Sequence, residues 1–326
     1  MSNIQSPNLV NVSHSHHEQG GLQRHAWLVM CGLCMGAADV VPGVSGGTMA
    51  FVLGIYEEWL QAIRAVNMTF LSRVLRLQWR AALEDFPWRF LVALGSGIGV
   101  AIFSLAKGLS WALQQYPTLV WGFFFGLVLA SVVVVYKRVS SWTLRLILIT
   151  VVAAAGSYGL VGLTPAVTPT TSWFLFLCGV IAICAMVLPG ISGAFMLVLL
   201  GKYQYVLTAV EQRDLLPLLI VAGGGVIGLA TMARVLLWAF RHYHDVMIAA
   251  LTGLMLGSLR KVWPWKEVLM TMPGRHGDVI AVAERNMLPT SLTAEVGLVC
   301  LLGLVAFGLV VTLESVATWR ASRRVA

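Results

Sequence analysis

Long apolar stretches separated by short polar links dominate the chain. Each was judged against the roughly 20 residues that a helix needs to cross a bilayer. Eight stretches emerge, over residues 26–62, 90–113, 119–136, 143–163, 173–200, 215–240, 246–259 and 295–313. Polar residues fill positions 1–25 and basic residues are frequent in 314–326, which predicts a disordered N-terminal tail and a basic C-terminal tail. The pattern predicts an all-α polytopic membrane protein.

Pro and Gly interrupt two of these stretches in the middle. The first break reads P-G-V-S-G-G at Pro42–Gly47, and the second reads P-G-I-S-G-A at Pro189–Ala194. A break in hydrocarbon leaves backbone N–H and C=O groups unpaired, at several kcal/mol each. It persists only where protein, water or a ligand satisfies those groups.

The two breaks belong to an internal repeat. Pro42–Arg64 aligns with Pro189–Glu211 at an offset of 147, with ten of 23 positions identical, including Pro, Gly, Ser and Tyr in register. At an offset of 127 the repeat continues through Trp111/Trp238 and Tyr116/Tyr243. Chance apolar similarity would match Leu and Val instead, so the pattern indicates a duplication, with repeats over 26–163 and 173–313.

The distribution of basic residues favours one topology. If each broken segment enters and leaves by the same face, three spans separate the copies and the second copy is inverted, as in many transporters. The Arg-rich loop 64–89 is then cytoplasmic with both termini. Residues 67–89 within it are predicted to form an amphipathic helix on the lipid surface, and a solvated loop is the alternative. One group of charges does not fit this topology. In it, the basic residues Arg260, Lys261 and Lys266 lie on the outer side of the membrane. The predicted architecture is six spanning helices and two re-entrant hairpins in the plasma membrane.

Composition removes several classes of function. Hydrophobic residues make up 58% of the chain and charged residues only 11%, too few to coat a water-facing surface, so a soluble enzyme is excluded. The net charge of +8 comes mostly from links between apolar runs, which favours membrane orientation over nucleic-acid binding. Cys31 and Cys34 form a C-x-x-C, but without further ligands nearby packing explains them better than a metal.

The breaks are candidate anion sites. Pro ends one helix, the glycines permit a tight turn, and Ser45 or Thr48 can cap the next helix, which exposes N–H groups and the positive end of a dipole. The alternative is a plain kink with glycines for helix packing. Two breaks in register within an inverted repeat favour the binding function.

Acidic residues occur beside the first break and not beside the second. Asp39 precedes the first break, whereas its repeat counterpart is Met186, and Glu57 and Glu58 follow the hairpin. Ionisable groups at depth indicate function, so a coupling role with protons or sodium is expected. For the two glutamates a solvated interfacial pair is an equal alternative.

Lys107 and Arg234 are repeat partners, each late in its own span. In an inverted repeat they would lie towards opposite faces, where an anion crossing the membrane would meet them. The alternative is snorkelling from a helix end.

The string A-D-V-V-P-G-V-S-G-G-T-M-A-F-V-L-G-I-Y-E at Ala38–Glu57, with V-L-P-G-I-S-G-A at Val187–Ala194, resembles the PopT type of polyprenyl-phosphate translocases. The resemblance implies return of undecaprenyl phosphate to the inner leaflet, without a cofactor. It implicates as substrate-binding residues Asp39, Pro42, Gly43, Ser45, Gly46, Gly47, Thr48, Pro189, Gly190, Ser192 and Gly193. Ala194 and Phe195 replace Gly47 and Thr48 in the second copy, so its anion site is expected to be weaker. A membrane enzyme acting on a lipid phosphate, or a small-ion transporter, remains an alternative, and the oligomeric state is left open.

Overall fold

The computed structural model describes residues 21–40, 45–66, 68–84, 86–273, 279–289 and 291–325. The helices of the first half are α1 (Gly21–Asp39), α2 (Gly46–Val52), α3 (Tyr56–Arg64), α4 (Met68–Leu75), α5 (Trp79–Glu84), α6 (Trp88–Gln115), α7 (Pro117–Tyr136) and α8 (Leu144–Val161). The second half contains α9 (Ser172–Val187), α10 (Gly193–Leu199), α11 (Tyr203–Gln212), α12 (Leu215–His242), α13 (His244–Ser258), β1 (Lys266–Pro273), β2 (Val279–Asn286) and α14 (Ala294–Val325).

Within the described residues, five helices are long and apolar enough to cross a membrane, namely α6, α7, α8, α12 and α14. Two more, α9 and α13, are apolar but shorter. The multi-pass helical class predicted from the sequence is therefore confirmed, with five or six spans by length and composition. After the second break, α10 and α11 are bent by 106° relative to each other, at residues 200–202.

One segment departs from the all-α prediction. Strands β1 and β2 pair antiparallel, with Lys266 opposite Asn286 and Pro273 opposite Val279. The sequence of this segment has no clear periodicity, and its pairing joins residues up to twenty positions apart. The hairpin is the only sheet within the described residues.

Equivalent helices of the two halves pack in the same way. Gly32 of α1 lies against the backbone carbonyl of Leu94 in α6, and Gly179 of α9 lies against that of Val221 in α12. The offsets of 147 and 127 found in the sequence relate these pairs. A Cβ at either glycine would overlap the facing carbonyl oxygen. Small residues here let the helix backbones approach closely.

The direction of this packing follows from a second glycine. Gly36, one turn after Gly32, lies against Ile98, one turn after Leu94. The contact positions advance together along both helices, so α1 and α6 run parallel. The aromatic turn after α6 is also repeated after α12.

That aromatic turn has nearly identical geometry in both halves. The rings of Trp111 and Tyr116 are 5.9 Å apart at 72°, and those of Trp238 and Tyr243 are 5.8 Å apart at 70°. Tyr116 and Tyr243 each separate two helices. The two turns therefore share one arrangement of their aromatic side chains.

The remaining long helices pack across the two halves. Gly126 of α7 lies against Gly303 of α14, and its repeat counterpart Gly253 of α13 lies against Thr150 of α8. Each half therefore supplies its last helix to the other half.

The predicted surface segment after the first hairpin forms two short helices, α4 and α5, instead of one. Leu77, Trp79 and Leu83 are exposed apolar side chains there. At the ends of the chain, α1 already begins at Gly21 and α14 continues to Val325. Helical structure therefore extends into both segments predicted as tails, while residues 1–20 lie outside the described residues.

Candidate functional site

The first break is closed by the chain's own side chains. The backbone N–H of Gly46 donates to Asp39 Oδ1 at 2.6 Å, and that of Gly47 donates to Ser45 Oγ at 3.1 Å. Ser45 has extended backbone dihedrals and is the N-cap of α2, as its position before the glycines predicts. The carboxylate of Asp39 thus occupies the place at the positive end of α2 where an anion was expected. Pro42 and Gly43 lie outside the described residues.

The two breaks contact each other directly. Ser45 Oγ donates to the carbonyl of Met186 at 3.0 Å, and Tyr56 Oη donates to the carbonyl of Val187 at 3.0 Å. In the opposite direction, the N–H of Gly190 donates to Thr48 Oγ at 3.0 Å. Hydroxyl groups of the first copy therefore satisfy backbone groups that the second break leaves without helical partners.

Two glycines make this close contact sterically feasible. A Cβ at Gly47 would lie 2.9 Å from the carbonyl oxygen of Val187. Gly190 has φ of +90°, which L-residues rarely adopt, and a Cβ there would lie 3.0 Å from Cα of Met255. A larger residue at Gly47 would push the breaks apart, and one at Gly190 would push the second break away from α13.

The second break lacks the acidic cap of the first. Ser192 precedes α10 with an extended backbone, but its side chain makes no capping bond. Pro189 and Gly193 are buried beside it, and a Cβ at Gly193 would lie 2.6 Å from the carbonyl oxygen of Ala182. No carboxylate replaces Asp39 here, because the counterpart position is Met186.

Among the described residues, neither glutamate side chain contacts a break. Glu58 forms an ion pair with Arg24, near the start of α1, and both side chains are about 40% exposed. Glu57 is exposed. These surroundings match the interfacial alternative better than a coupling site at depth.

Lys107 and Arg234 are also separate from the breaks. Both are exposed, on α6 and α12 respectively. Lys107 lies just beyond the apolar stretch Trp88–Leu105. Within the part of the chain that the structure describes, no contact joins either cation to a break.

Two residues of the site were not selected from the sequence. Tyr56 is buried and bridges the breaks, and its identity with Tyr203 in the aligned repeat was the available signal. Arg138 donates to the carbonyl of Val52, the last residue of α2, at 3.0 Å, and lies 5.2 Å above the ring of Phe51. In the sequence, Arg138 indicates only the orientation of its link, because nothing in the chain around it identifies the distant carbonyl that it contacts.

Comparisons with known proteins agree on one family. Residues 35–280 match the model of the undecaprenyl phosphate translocase-like family. A polyprenyl-phosphate transporter of Vibrio cholerae is 43% identical over 293 residues, covering 88% of this chain and 95% of that protein. A polyprenyl-phosphate transporter of Staphylococcus aureus is 29% identical over 265 residues, covering 74% and 88%. No solved structure matches the chain.

Proposed function

The chain belongs to the undecaprenyl phosphate translocase-like family, and from this premise we propose that it carries undecaprenyl phosphate, or a similar polyprenyl phosphate, between the membrane leaflets. It is a lipid transporter and not an enzyme. We propose that this lipid is the carrier used in cell-envelope synthesis and that the protein recycles it. The observation that carries the proposal is the contact between two broken membrane segments, because a charged phosphate needs polar groups at depth to cross hydrocarbon.

We propose an inverted repeat, and helix directions support it. Gly253 of α13 lies against Thr150 of α8, and Gly257 lies against Ala154, so these helices run parallel. Helices α7 and α8 are joined by residues 137–143 and are both long enough to cross the membrane, so they run antiparallel. It follows that α13 runs opposite to its repeat counterpart α7.

The ends of both hairpins support re-entry. Arg24 at the start of α1 pairs with Glu58 in α3, so the chain returns to where it entered. In the second copy, Lys202 after α10 donates to the carbonyl of Thr168, before α9, at 2.7 Å. The parallel packing of α1 and α6 agrees, because α6 then starts from the face where α1 starts.

For the orientation we propose the plasma membrane with both termini in the cytoplasm, and repeats over 26–163 and 173–313. Arg260, Lys261 and Lys266, the charges that fall outside, are all engaged by neighbours. Glu284 pairs with both lysines, and Arg260 lies 4.4 Å above the ring of Tyr158. Single cysteines in residues 114–118 should label from outside, and those in 68–84 should not. Labelling of 68–84 from outside would contradict the re-entrant arrangement.

The substrate-binding part of the proposal uses both breaks. The lipid phosphate competes with the Asp39 carboxylate for the N–H of Gly46 and with Ser45 Oγ for the N–H of Gly47, while Thr48 holds the second break close. Protonation of Asp39 would weaken its bond to Gly46, which links the site to a proton gradient. Asp39→Asn should therefore insert normally and lose any gradient dependence of transport. Unchanged gradient dependence would remove Asp39 from the coupling role.

For the second break we propose that Pro189, Gly190, Ser192 and Gly193 form the other half of the phosphate path. Lys107 and Arg234 are tested by Lys107→Gln and Arg234→Gln. Normal transport in both variants identifies them as snorkelling side chains, whereas weaker binding of lipid phosphate places them on the path.

Reconstituted transport is the decisive experiment. Purified protein in liposomes of bacterial phospholipid receives a fluorescent polyprenyl phosphate, and a membrane-impermeant quencher reports its leaflet. Leaflet exchange of intact lipid above that of protein-free liposomes is expected. Ion uptake without any lipid requirement would favour a small-ion transporter.

Gly46→Val should abolish exchange, because a Cβ at Gly46 would lie 2.5 Å from Asp39 Oδ2.

A further inference from the structure

A group of three charged side chains, two basic and one acidic, lies between the end of α13 and the β-hairpin. Glu284 Oε2 accepts from Lys261 Nζ at 2.8 Å and from Lys266 Nζ at 3.4 Å. The three side chains are 15%, 6% and 14% exposed for Lys261, Lys266 and Glu284 respectively. Among the described residues, two ammonium groups face one carboxylate, which leaves one positive charge in excess in a mostly buried place. A buried charge without a counterion is costly unless a ligand or partner completes it.

The two lysines differ in the donors they have left. Lys266 Nζ also donates to the carbonyl of Lys261 at 2.6 Å and lies 3.7 Å from the ring centre of Trp121, which occupies its three N–H groups. Lys261 Nζ donates to Glu284 and lies 5.5 Å from the ring centre of Phe195. Among the described contacts, Lys261 is therefore the cation with donor capacity for an anion.

The position of Lys261 connects this group to the second break. Phe195 belongs to α10, three residues after Ser192. Trp121 belongs to the first turns of α7. The charged group therefore stands between the hairpin outside the membrane segments and the short helix of the second break.

The first half contains a comparable arrangement. Arg138, in the link after α7, lies 5.2 Å above Phe51 of α2, and Lys261, in the link after α13, lies above Phe195 of α10. Helices α7 and α13 are repeat counterparts. In each half, a basic side chain from the link after α7 or α13 thus lies on an aromatic ring of the short hairpin helix of that half. In the inverted arrangement proposed above, these two cations lie at opposite faces of the membrane.

We infer that Lys261, supported by Lys266, binds the phosphate monoester of the lipid at the face where it enters the second break. In the absence of lipid, Glu284 is the internal anion of this site. A phosphate monoester carries about −1.5 to −2 charges at neutral pH, so it competes with one carboxylate for the two lysines. The inference rests on the proposed function, since it names further substrate-binding residues of the same transporter.

Binding to the full-length protein in detergent tests the inference. The probes are farnesyl phosphate, inorganic phosphate and farnesol, measured by calorimetry. Lys261→Gln should weaken farnesyl phosphate binding about tenfold or more, as expected for a hydrogen bond to a charged group. Glu284→Gln should strengthen it several-fold, because the competing carboxylate is gone. Misfolding cannot mimic that gain.

Arg285→Gln is the matched control, because Arg285 pairs with Glu267 at 2.7 Å on the exposed side of the same hairpin. It should leave binding unchanged. If the charged group only anchors the hairpin, Lys261→Gln and Glu284→Gln lower the melting temperature and neither changes binding in the expected direction, which overturns the inference. Equal affinity for inorganic phosphate and farnesyl phosphate would also overturn it, in favour of a free-phosphate site.

Failure of this inference and failure of the proposed function give different results. Wild-type protein that exchanges lipid in liposomes, with Lys261→Gln binding normally, leaves the function intact and removes Lys261 from the site. Protein that exchanges no lipid contradicts the function whatever Lys261 binds.

Discussion

Thr48 in the first broken segment accepts the backbone N–H of Gly190 in the second, at 3.0 Å. The residues are 142 positions apart in the chain and both are buried. This bond joins the turn of one repeat to the first short helix of the other. The two halves are thus held together at the point where each helix is interrupted.

Thr48→Val should destabilise the protein by about 1–3 kcal/mol, because an isosteric side chain leaves the Gly190 N–H buried without an acceptor. The measurement is thermal unfolding in detergent. Thr48→Ser, which keeps the hydroxyl, is the control and should unfold close to wild type. Equal stability of the two variants would mean that the bond contributes nothing.

Gly126→Ala should cost about 1–3 kcal/mol through overpacking, because its Cβ would overlap the carbonyl of Gly303 in α14. Gly95→Ala is the matched control, since nothing lies within 4 Å of a Cβ at Gly95 in α6. Unfolding in detergent should separate the pair. A neutral effect at both positions would show that α7 and α14 pack less closely than the structure has them.

Paired cysteines at positions 24 and 58 should be bridged by a short bifunctional maleimide, because the long side chains of Arg24 and Glu58 meet at their tips when the first hairpin returns to its own face. The five native cysteines are first replaced, and cross-linking is followed as a mobility shift on gels. The pair 24 and 107 is the control and should not be bridged. No cross-link at 24 and 58 would indicate a broken helix that spans instead.

Farnesyl phosphate binding should fall as the pH rises through about 8. Burial lowers the pKa of Lys266 from 10.5 to about 8, so its ammonium loses the proton in this range and the charged group loses its excess positive charge. Lys266→Arg stays charged and should flatten the profile. A wild-type profile that is flat between pH 7 and 9 would contradict the role of Lys266.

The stability of the folded state should change in the opposite direction. Between pH 8 and 10.5 the unfolded chain still holds the proton that folded Lys266 has lost, so this group makes stability rise with pH. Melting temperatures at pH 8 and 9.5, compared between wild type and Lys266→Met, measure this contribution. If the melting temperature falls between these pH values in the wild type but not in Lys266→Met, the direction assigned to the pKa shift of Lys266 is wrong.

The sequence alone determines the internal repeat and the positions at which two of its helices are interrupted. Hydropathy and helical length are local properties, so α6, α7, α8, α12 and α14 follow from runs of apolar residues and their links. Pro, Gly and Ser in register at the breaks identify the duplication, because their backbone effects depend on position and not on hydrophobicity.

Only the tertiary structure decided the partners. Asp39 bonds to Gly46 seven residues on, Tyr56 reaches Val187, and Lys261 meets Glu284 across the hairpin. Each choice depends on how distant helices pack, and one sequence position carries no trace of the backbone group that it will face. For the same reason Lys107 and Arg234, paired by the repeat, are exposed, while Arg138 and Lys261 lie beside the short helices.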